Sequence, residues 1–430
     1  MTAESKQRIV PANNVRGSVR LPGDKSISHR YAMLAAIASG STKLENFSSA
    51  ADCASTLGCV ERLGARVSNR DSKIEIEGTG GELRTPSAPL DCGNSGSTMR
   101  MLSGIVAGYD FKSEMIGDES LSRRPMRRII DPLTQMGAHI AAAEGDRPPL
   151  RIEGKRLRSI TYEMPVASAQ VKSCVLLAGL RAPGTTTVIE KVATRDHTEL
   201  ALRAFGVRVE QKNGTVSLQG LQKLNAIEAY VPGDLSTATF FLCAAAMFPE
   251  SNLIFDHVLL NPTRAGVLDV LATMGLKVAF LKVEELHGET IGTIQVKAGK
   301  LTGAVISGAL SAALIDELPM LAAMAAYTRD GIEVRDAREL RVKESDRIAA
   351  VSENLRRMDI QFEEREDGWK IPGQQQPQGA ELESFGDHRI AMAFAIAALR
   401  AKGESYILNA DAVAVSFPQF FTTLESIVER

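Results

Sequence analysis

One pattern recurs six times along the chain, at intervals of roughly 70 residues. In each copy a turn of small residues or glycine leads into an almost entirely apolar helix. A helix that is apolar on all sides has to be buried inside its domain, and a period this long excludes a thin solenoid. The six segments are GDKSISHRYAMLAAIA, CGNSGSTMRMLSGIVAG, VASAQVKSCVLLAGL, PGDLSTATFFLCAAA, IDELPMLAAMAAY and GDHRIAMAFAIAAL.

A second helix follows in most copies and ends just before a predicted strand. Glycine is favoured at this point because the residue after a helix often adopts a positive φ. The fifth copy carries Asp359 in place of glycine. Short alternating runs after the junctions, such as residues 67–69 and 207–209, predict strands. The junctions read Leu63-Gly64-Ala65, Met136-Gly137-Ala138, Phe205-Gly206-Val207, Met274-Gly275-Leu276 and Met358-Asp359-Ile360.

The repeat predicts an α/β fold in which each copy is a small βαβαββ-like unit. At 430 residues the chain is too long for one ordinary core, so we expect at least two domains. Six copies form either one ring or two groups of three. The segment 229–234 opens the fourth copy, and we place the crossing between domains there. A generic alternation of helices and strands is the alternative to a true repeat.

Composition excludes several classes of function. The chain has 44% apolar and 24% charged residues and a net charge of −2, so nothing globally attracts nucleic acid. Five cysteines without a C-x-x-C pair argue against disulfides, and six histidines without H-x-x-x-H spacing predict no metal. The N-terminus lacks the apolar region of a secretory signal, and no apolar stretch is long enough to span a bilayer. We therefore expect a cytoplasmic protein.

Four clusters that open repeat copies are candidates for binding an anion. Hydroxyl residues and glycines at a helix start leave backbone N–H groups available to a negatively charged ligand. The glycine-rich segment is neither a Walker A loop nor G-x-G-x-x-G, so ATP and NAD are not indicated and we expect no cofactor. The first three clusters also have a purely structural explanation, as a capped helix, a glycine turn and a solvated basic face. The fourth is an ionic triplet before a buried helix, which is unusual unless it faces a cleft. The clusters are Asp24-Lys25-Ser26-Ile27-Ser28-His29-Arg30, Cys92-Gly93-Asn94-Ser95-Gly96-Ser97-Thr98-Met99-Arg100, Ser122-Arg123-Arg124-Pro125-Met126-Arg127-Arg128 and Gly386-Asp387-His388-Arg389.

Two acidic segments are candidates for proton transfer. Asp316-Glu317 lies inside the apolar run 312–327. An unpaired carboxylate in apolar surroundings acquires a raised pKa, which suits a general base. A helix N-cap is the alternative, because Pro319 sits near a first-turn position.

The second acidic segment is Arg341-Val342-Lys343-Glu344-Ser345-Asp346-Arg347, with five charges in seven residues. Lys343 and Arg347 are four residues apart, and Glu344 is three residues before Arg347, so the spacing predicts one shared helix face. A surface ladder of salt bridges is the alternative interpretation.

Together these strings resemble the 5-enolpyruvylshikimate-3-phosphate synthase family, also called 3-phosphoshikimate 1-carboxyvinyltransferases. LPGDKSISHR is similar to the family's phosphoshikimate motif, and GNSGSTMR to its phosphoenolpyruvate loop. A single motif of this kind would be weak, but eight follow in the family's order over about residues 21–420. The remaining strings are SRRPM, ASAQVKS, TRDHTE, IDELP, RVKESDR and GDHRIAM.

The resemblance implies the enolpyruvyl transferase fold, with two similar domains of three βαβαββ units each and an active site in the cleft between them. The domains it implies are 21–231, and 1–20 with 232–430. It further implies a transferase of the shikimate pathway, which supplies chorismate and the aromatic amino acids. The enolpyruvyl group of phosphoenolpyruvate passes to the 5-hydroxyl of shikimate 3-phosphate by addition and elimination, and phosphate is released. A monomer whose domains close on the substrates is expected.

The resemblance also implies roles for individual residues. Asp316 matches the base that takes the proton of the attacking hydroxyl, Glu344 the group that handles the proton at the methylene, and Lys25 a partner acid. The implied phosphoshikimate contacts are Lys25, Ser26, Arg30, Ser168, Ala169, Gln170, Arg195, Asp316 and Lys343. The implied phosphoenolpyruvate contacts are Lys25, Gly96, Arg124, Gln170, Arg347 and Arg389.

Two positions bear on inhibitors and on the count of contacts. Many members carry a Lys shortly before a terminal S/T-F-P, where this chain has Val415. ASAQVKS and TRDH resemble the bacterial branch of the family whose response to the herbicide glyphosate is naturally weak. Gly96, by contrast, stands where insensitive members often have Ala, which favours inhibition by glyphosate. The alternatives are the sister enzyme acting on UDP-N-acetylglucosamine, whose reactive-loop Cys is missing from residues 113–126, and a non-catalytic phospho-metabolite sensor.

Overall fold

The structure is a computed structural model that describes residues 5–70 and 73–430. Within these residues the strands are β1 (Lys6–Ile9), β2 (Asn14–Val19), β3 (Ser41–Glu45), β4 (Arg66–Arg70), β5 (Lys73–Glu77), β6 (Leu90–Asp91), β7 (Lys112–Ile116), β8 (His139–Ala143), β9 (Arg147–Glu153), β10 (Thr161–Glu163), β11 (Thr185–Ile189), β12 (Val209–Lys212), β13 (Thr215–Gln219), β14 (Glu228–Tyr230), β15 (Asn252–Leu259), β16 (Lys277–Leu286), β17 (Glu289–Lys297), β18 (Ala304–Ile306), β19 (Ile332–Val334), β20 (Glu363–Arg365), β21 (Gly368–Ile371), β22 (Glu381–Glu383), β23 (Ser405–Leu408) and β24 (Val428–Glu429).

The α-helices of the described residues are α1 (Lys25–Ile37), α2 (Ala51–Arg62), α3 (Gly96–Val106), α4 (Arg127–Gln135), α5 (Ala169–Gly179), α6 (His197–Ala204), α7 (Leu235–Met247), α8 (Gly266–Thr273), α9 (Ala309–Ala313), α10 (Leu318–Met324), α11 (Arg347–Arg357), α12 (His388–Ala398) and α13 (Phe420–Glu425). Short 3₁₀ helices cover Leu121–Arg123, Ala325–Tyr327, Arg338–Val342 and Ala410–Val415.

The chain divides into two compact units. The first unit consists of the described residues of Gly23–Val231 together with Glu285–Glu289. The second unit consists of the described residues up to Pro22, with Pro232–Glu284 and Thr290–Arg430. The second unit is therefore built from both ends of the sequence.

The first unit contains three four-stranded sheets of one topology, with the orders β14-β3-β5-β4, β6-β7-β9-β8 and β10-β11-β13-β12. In each sheet the first two strands are parallel, and the other two pairings are antiparallel. Together with two helices, each sheet completes a βαβαββ unit. In the first repeat the parallel partner of β3 is β14, which lies at the C-terminal end of the segment Gly23–Val231.

The second unit also has three sheets. One of them, β18-β19-β21-β20, repeats the topology of the first unit. In the sheet β16-β17-β15-β2-β24, the strand parallel to β15 is β2. In the sheet β1-β23-β22, β22 runs parallel to β23 and β1 runs antiparallel to it. The predicted α/β fold of six βαβαββ-like repeats is confirmed, with the N-terminal strands filling places in the second unit.

The first helix of each repeat is buried, as its apolar sequence predicts. α7 is buried along its 13 residues, and α1 is buried from Ile27 to Ile37. In the first unit α3 packs against α1 and α5, and in the second unit α7, α10 and α12 pack against one another. Alternating strands cover these helices: β5 turns Ile74 and Ile76 inward, where both are buried.

The predicted junctions after the second helices adopt the left-handed backbone. The φ angles are 109° at Gly64, 105° at Gly137, 89° at Gly206 and 112° at Gly275. Asp359 takes the same place in the fifth repeat with a φ of 57°. The prediction of a positive φ at these points is confirmed. Aspartate is among the residues that tolerate this conformation best after glycine.

The strand predicted at residues 207–209 begins only at Val209, so the prediction is wrong for two residues. The Val207 N–H donates to the Leu202 carbonyl at 2.9 Å and closes the end of α6. The Arg208 N–H donates to the Gln222 side chain at 2.9 Å. The alternating pattern does not reveal these local hydrogen bonds, which occupy two backbone N–H donors that would otherwise be available for pairing with a neighbouring strand.

Gly104 marks a close approach of two buried helices. It lies in α3, and a Cβ placed on it would be 2.2 Å from the carbonyl oxygen of Cys174 in α5. No side chain, not even a methyl group, fits there unless the backbones separate. The α3–α5 packing at the centre of the first unit therefore depends on glycine at this position.

Gly104→Ala should lower the free energy of unfolding by roughly 1–3 kcal/mol, because overpacking forces the two helices apart. The matched control is Gly58→Ala in α2, where a Cβ meets nothing within 4 Å. That change should stabilise the chain by about 0.5–1 kcal/mol through helix propensity. Urea unfolding followed by circular dichroism measures both, and equal effects of the two substitutions would contradict the close packing.

Candidate active site

Side-chain caps begin the three buried helices of the first unit. α1 starts after Asp24, whose carboxylate accepts the Ile27 backbone N–H at 2.8 Å. α3 and α5 start after Ser95 and Ser168, whose hydroxyls accept first-turn N–H groups at 3.0 Å and 3.4 Å. Each cap satisfies one N–H group, and the first turn of each helix has further donors that an anion can use.

Lys25, the first residue of α1, is held by Asp52. Its Nζ lies 2.9 Å from Oδ2 of Asp52, and the two side chains are 21% and 9% exposed. Asp52 stands in the first turn of α2, where the helix dipole favours a carboxylate. The ammonium group is therefore fixed in place and retains access to solvent, so an anionic ligand can reach it.

Gln170 connects the starts of α3 and α5. Its Oε1 accepts a hydrogen bond from Nη1 of Arg100 at 2.8 Å, and its Nε2 donates to the Ser97 hydroxyl at 3.0 Å. Because both polar atoms of the amide are engaged, Gln170 fixes the position of the Arg100 guanidinium. Arg100 belongs to the glycine-rich cluster 92–100, but the sequence predicted no role for it.

Arg124 differs from the other three arginines of its segment. Its side chain is buried, whereas Arg123, Arg127 and Arg128 are exposed. Its Nη2 donates to Asn94 at 3.0 Å and also lies 3.1 Å from the Ser120 hydroxyl. Arg124 is thus the buried arginine of the segment 122–128, and Asn94 in the loop before α3 holds its guanidinium.

Gly96 lies between Arg100 and Arg124. A Cβ on Gly96 would be 2.7 Å from Nη1 of Arg100 and 3.6 Å from Nη1 of Arg124. Gly96 and Arg124, both predicted to contact phosphoenolpyruvate, are therefore neighbours. Gln170 lies close to them because it binds Arg100, which also adjoins Gly96. Two guanidinium groups beside a glycine form an arrangement that can hold a carboxylate or a phosphate.

Arg30 is enclosed by uncharged oxygens. Its three nitrogens donate to the Thr198 hydroxyl at 2.6 Å, the Ser26 carbonyl at 2.8 Å and the Ser173 hydroxyl at 2.8 Å. Burial and the charge of Arg195, against the opposing effect of neighbouring carboxylates, together lower the pKa of Arg30 to about 10. Arg30 is therefore a buried cation that feels the charge of Arg195.

In the second unit, Arg347 is the centre of the acidic cluster. Its Nε lies 2.8 Å from Oδ2 of Asp387, and its Nη2 lies 2.7 Å from Oε2 of Glu344. Its Nη1 lies 3.7 Å from Oδ1 of Asp316. Burial by itself lowers the pKa of Arg347, but the three carboxylates outweigh it and raise the pKa above the ordinary value. One buried guanidinium therefore orients both predicted catalytic carboxylates.

Lys343 also approaches Asp316, with Nζ 4.0 Å from Oδ1. Burial lowers the pKa of Lys343, and the charge of Asp316 opposes this. The prediction of one helix face shared by Lys343 and Arg347 is wrong, because α11 begins only at Arg347, after the N-cap Asp346. The chain before the helix turns so that both cations reach the same carboxylate.

Arg389 completes the cluster of the second unit. Its Nη1 donates to the Asp316 backbone carbonyl at 2.8 Å and to the Ser236 hydroxyl at 2.9 Å. The Ser236 hydroxyl in turn donates to Glu317. Glu317, not Asp316, is the residue before α10, and its side chain makes no cap hydrogen bond. The N-cap interpretation of Asp316 is therefore wrong, and its carboxylate faces Arg347 and Lys343.

The predicted site residues thus form two clusters. The cluster of the first unit contains Lys25, Ser26, Arg30, Gly96, Arg124, Ser168, Ala169, Gln170 and Arg195. The cluster of the second unit contains Asp316, Lys343, Glu344, Arg347 and Arg389. The sequence did not single out Asp52, Ser236 or Asp387 as partners, because their contacts join residues far apart in the chain.

Neither a metal site nor a membrane span is found within residues 5–70 and 73–430. In these residues His, Cys, Asp and Glu side chains form no group of three or more placed to hold a metal ion. None of the helices described here combines the length and apolar character needed to cross a bilayer. The five cysteines are free thiols, and all are buried.

Asp387→Asn should lower the free energy of unfolding by roughly 3 kcal/mol at pH 7, because a buried arginine loses one carboxylate partner. The amide keeps the cap of α12. Burial alone raises the pKa of Asp387, but Arg347 outweighs it and holds the pKa below its ordinary 3.8. This stabilisation is present above pH 3.8 and disappears as the pH falls through the lower folded pKa. Urea unfolding at several pH values measures it.

The matched control is Asp346→Asn. Asp346 also caps a helix and pairs with an arginine, Arg341, at 3.0 Å, but its side chain is 39% exposed. Its replacement should cost less than about 1 kcal/mol. If both variants lost the same free energy of unfolding, burial of the Arg347–Asp387 pair would contribute nothing to stability.

Comparison with known proteins identifies the family. Residues 9–424 match the model of the family described as EPSP synthase (3-phosphoshikimate 1-carboxyvinyltransferase). A 3-phosphoshikimate 1-carboxyvinyltransferase of Koribacter versatilis is 61% identical over 98% of this chain and 99% of its own length. One of Solibacter usitatus is 54% identical over 98% of this chain and 100% of its own length.

Solved structures agree with the sequence comparison. An EPSP synthase structure from Acinetobacter baumannii is 40% identical, covers 99% of this chain and 98% of its own, and superposes with a TM-score of 0.88. The match of fold and sequence extends over nearly the whole length of both chains. This chain therefore belongs to the EPSP synthase (3-phosphoshikimate 1-carboxyvinyltransferase) family.

Proposed function

We propose that this chain transfers the enolpyruvyl group of phosphoenolpyruvate to the 5-hydroxyl of shikimate 3-phosphate and releases phosphate, as an enzyme of the shikimate pathway. One observation carries the proposal: the carboxylates of Asp316 and Glu344 both lie against the buried guanidinium of Arg347, at 3.7 Å and 2.7 Å. Two carboxyl groups oriented by one fixed cation supply the proton acceptor and the proton donor that an addition followed by an elimination requires.

The proposed chemistry balances in two steps. The hydroxyl oxygen bonds to C2 of phosphoenolpyruvate while Asp316 accepts the hydroxyl proton, and C3 receives a proton from Glu344, with Lys25 as a partner acid. In the tetrahedral intermediate C3 then loses a proton to Glu344, the C2–C3 double bond forms again, and phosphate leaves with the electron pair of the broken C2–O bond. Asp316 releases the hydroxyl proton to solvent. The proton-transfer groups end the cycle in the states in which they began once solvent has exchanged with them.

The cations of the two clusters suit these substrates, which together carry two phosphates and two carboxylates. For shikimate 3-phosphate we propose contacts to Lys25, Ser26, Arg30, Ser168, Ala169, Gln170, Arg195, Asp316 and Lys343. For phosphoenolpyruvate we propose contacts to Lys25, Gly96, Arg124, Gln170, Arg347 and Arg389. Guanidinium groups are apt for both ligands because their planar fork binds two oxygens of a carboxylate or a phosphate at once. Three of the five N–H donors of Arg30 bind Ser26, Ser173 and Thr198, so Arg30 contributes its charge and at most two donors.

We further propose that residues of both units act on the same pair of substrates, and that the chain works as a monomer in the cytoplasm. The five free thiols fit a reducing compartment. Glyphosate, with its carboxylate and its phosphonate, is proposed to compete with phosphoenolpyruvate at Gly96 and Arg124. Val415 offers no charge to either ligand, so one cation that many members of the family place near phosphoenolpyruvate is missing from this chain.

Asp316→Asn should lower kcat by a factor on the order of 10² or more, because an amide does not accept the hydroxyl proton. The shape is unchanged, so calorimetric binding of shikimate 3-phosphate should change little. The measurement is release of inorganic phosphate from the wild type and the variant with both substrates. Asp330→Asn, at an exposed aspartate paired with Arg329, is the control and should leave turnover unchanged.

Two results would go against this assignment. Near-normal turnover of the Asp316 variant would remove it as the base. A wild-type chain that binds both compounds and releases no phosphate would indicate a sensor rather than a transferase.

Gly96→Ala should raise the KM for phosphoenolpyruvate about 10-fold or more and weaken inhibition by glyphosate, because the methyl group displaces Arg100 from Gln170. The KM for shikimate 3-phosphate should change less. Gly266→Ala is the control, since it also begins a helix and its Cβ would make only an ordinary contact, 3.8 Å from Leu314. Steady-state kinetics with each substrate varied in turn checks the prediction, and a rise confined to shikimate 3-phosphate would contradict it.

A further inference from the structure

Lys172 in α5 is a fully buried ammonium group with two carboxylate partners. Its Nζ lies 3.0 Å from Oε2 of Glu190 and 2.6 Å from Oε1 of Glu199. The side chains are 0% exposed for Lys172 and Glu199 and 4% for Glu190. Burying three ionisable groups is costly, and apolar residues of similar size often serve stability as well or better. Stability alone therefore gives no reason for the cluster.

The cluster is attached to a loop through Glu190. Oε1 of Glu190 accepts the backbone N–H of Thr194 at 3.0 Å and the Thr194 hydroxyl at 2.6 Å, while Oε2 faces Lys172. Between β11 and α6 the chain has no regular secondary structure at residues 190–196. Lys172 and Glu190 thus hold this loop in place, although the loop lacks the backbone hydrogen bonds of a strand or helix.

Thr194 directly precedes Arg195. The charges of Arg195 and Arg30 oppose one another. The same two helices carry the contacts of Arg30 and those of the ion cluster: Arg30 binds Ser173, next to Lys172, and Thr198, next to Glu199. The buried ion cluster therefore lies on the two helices that hold Arg30, and its loop contact is to the residue before Arg195.

We propose that Lys172 is a positioning residue that holds the loop 190–195, through Glu190 and Thr194, so that Arg195 presents its guanidinium to the phosphate of shikimate 3-phosphate. The inference rests on the proposed function, which makes Arg195 a contact of that substrate. Lys172 touches neither substrate and acts only through the loop. Its loss therefore affects the binding of one substrate and not the chemical step.

Glu190 is the partner that transmits the effect. Burial raises the pKa of Glu199, although the nearby charge of Lys172 opposes this. Glu190 makes two hydrogen bonds to the loop besides its contact with Lys172. Glu199 lies within α6 and accepts no loop donor among the hydrogen bonds of the described residues.

The test is Lys172→Met, which removes the ammonium group and keeps an unbranched side chain. The KM for shikimate 3-phosphate should rise about 10-fold or more, while kcat and the KM for phosphoenolpyruvate stay within about 2-fold. Lys191→Met is the matched control. It removes a lysine from the same loop whose ion pair with Glu163, at 2.7 Å, lies on the surface with a 72% exposed side chain, and it should leave all three constants unchanged.

A second variant decides the matter where Lys172→Met fails to fold. Thr194→Val removes the hydroxyl bond to Glu190 and keeps the backbone bond, so the KM for shikimate 3-phosphate should rise about 3-fold. Unchanged KM values in the variants that fold would overturn the inference, as would an equal change of kcat and of both KM values. No turnover of shikimate 3-phosphate by the wild type would overturn the proposed function and this inference with it, whereas the other outcomes concern Lys172 alone.

Discussion

The first turn of a buried helix carries backbone N–H groups that have no partner within the helix and therefore require polar partners elsewhere. Because the first helix of each repeat is almost entirely apolar, most of its polar residues lie in its first two turns. Asp24, Ser95 and Ser168 cap these starts in the first unit, and Asp234 and Asp387 do so in the second. The repeat therefore generates a set of polar helix starts, and the two functional clusters are built at them.

The second unit concentrates charge around one residue. Arg347 is 1% exposed at its side chain, so isolating it from water without partners would be prohibitive. Asp387, fully buried, offsets most of this cost, which leaves Glu344 and Asp316 as partially exposed carboxylates, each 20% exposed. The buried pair Arg347–Asp387 supports the cluster, and the two outer carboxylates keep the access to solvent that proton exchange requires. A single guanidinium thereby couples the stability of the unit to the geometry of the proposed acid and base.

The sequence predicted what depends on periodicity and on local backbone preference. The six repeats, the buried first helices and the positive φ at Gly64 or Asp359 all follow from neighbouring residues. The helix through Lys343 did not form, because Asp346 caps α11 later than charge spacing suggests. The site residues came from motif resemblance, which names positions but not partners. Asp52 and Asp387 were not assigned a role because a sequence does not reveal which distant carboxylate meets which cation.

The two clusters differ in chemistry although the repeats share one topology. In the first unit Lys25 pairs with the carboxylate of Asp52, and Arg100 and Arg124 bind amide oxygens of Gln170 and Asn94. In the second unit three carboxylates surround one arginine. The planar fork of a guanidinium binds two oxygens of a phosphate or carboxylate at once, which suits the first cluster to holding anionic ligands. Several carboxylates around one arginine suit proton transfer, since one can accept a proton while the others keep the arginine charged. The different chemistry of the two clusters thus follows from the residues that occupy them, not from a difference in fold.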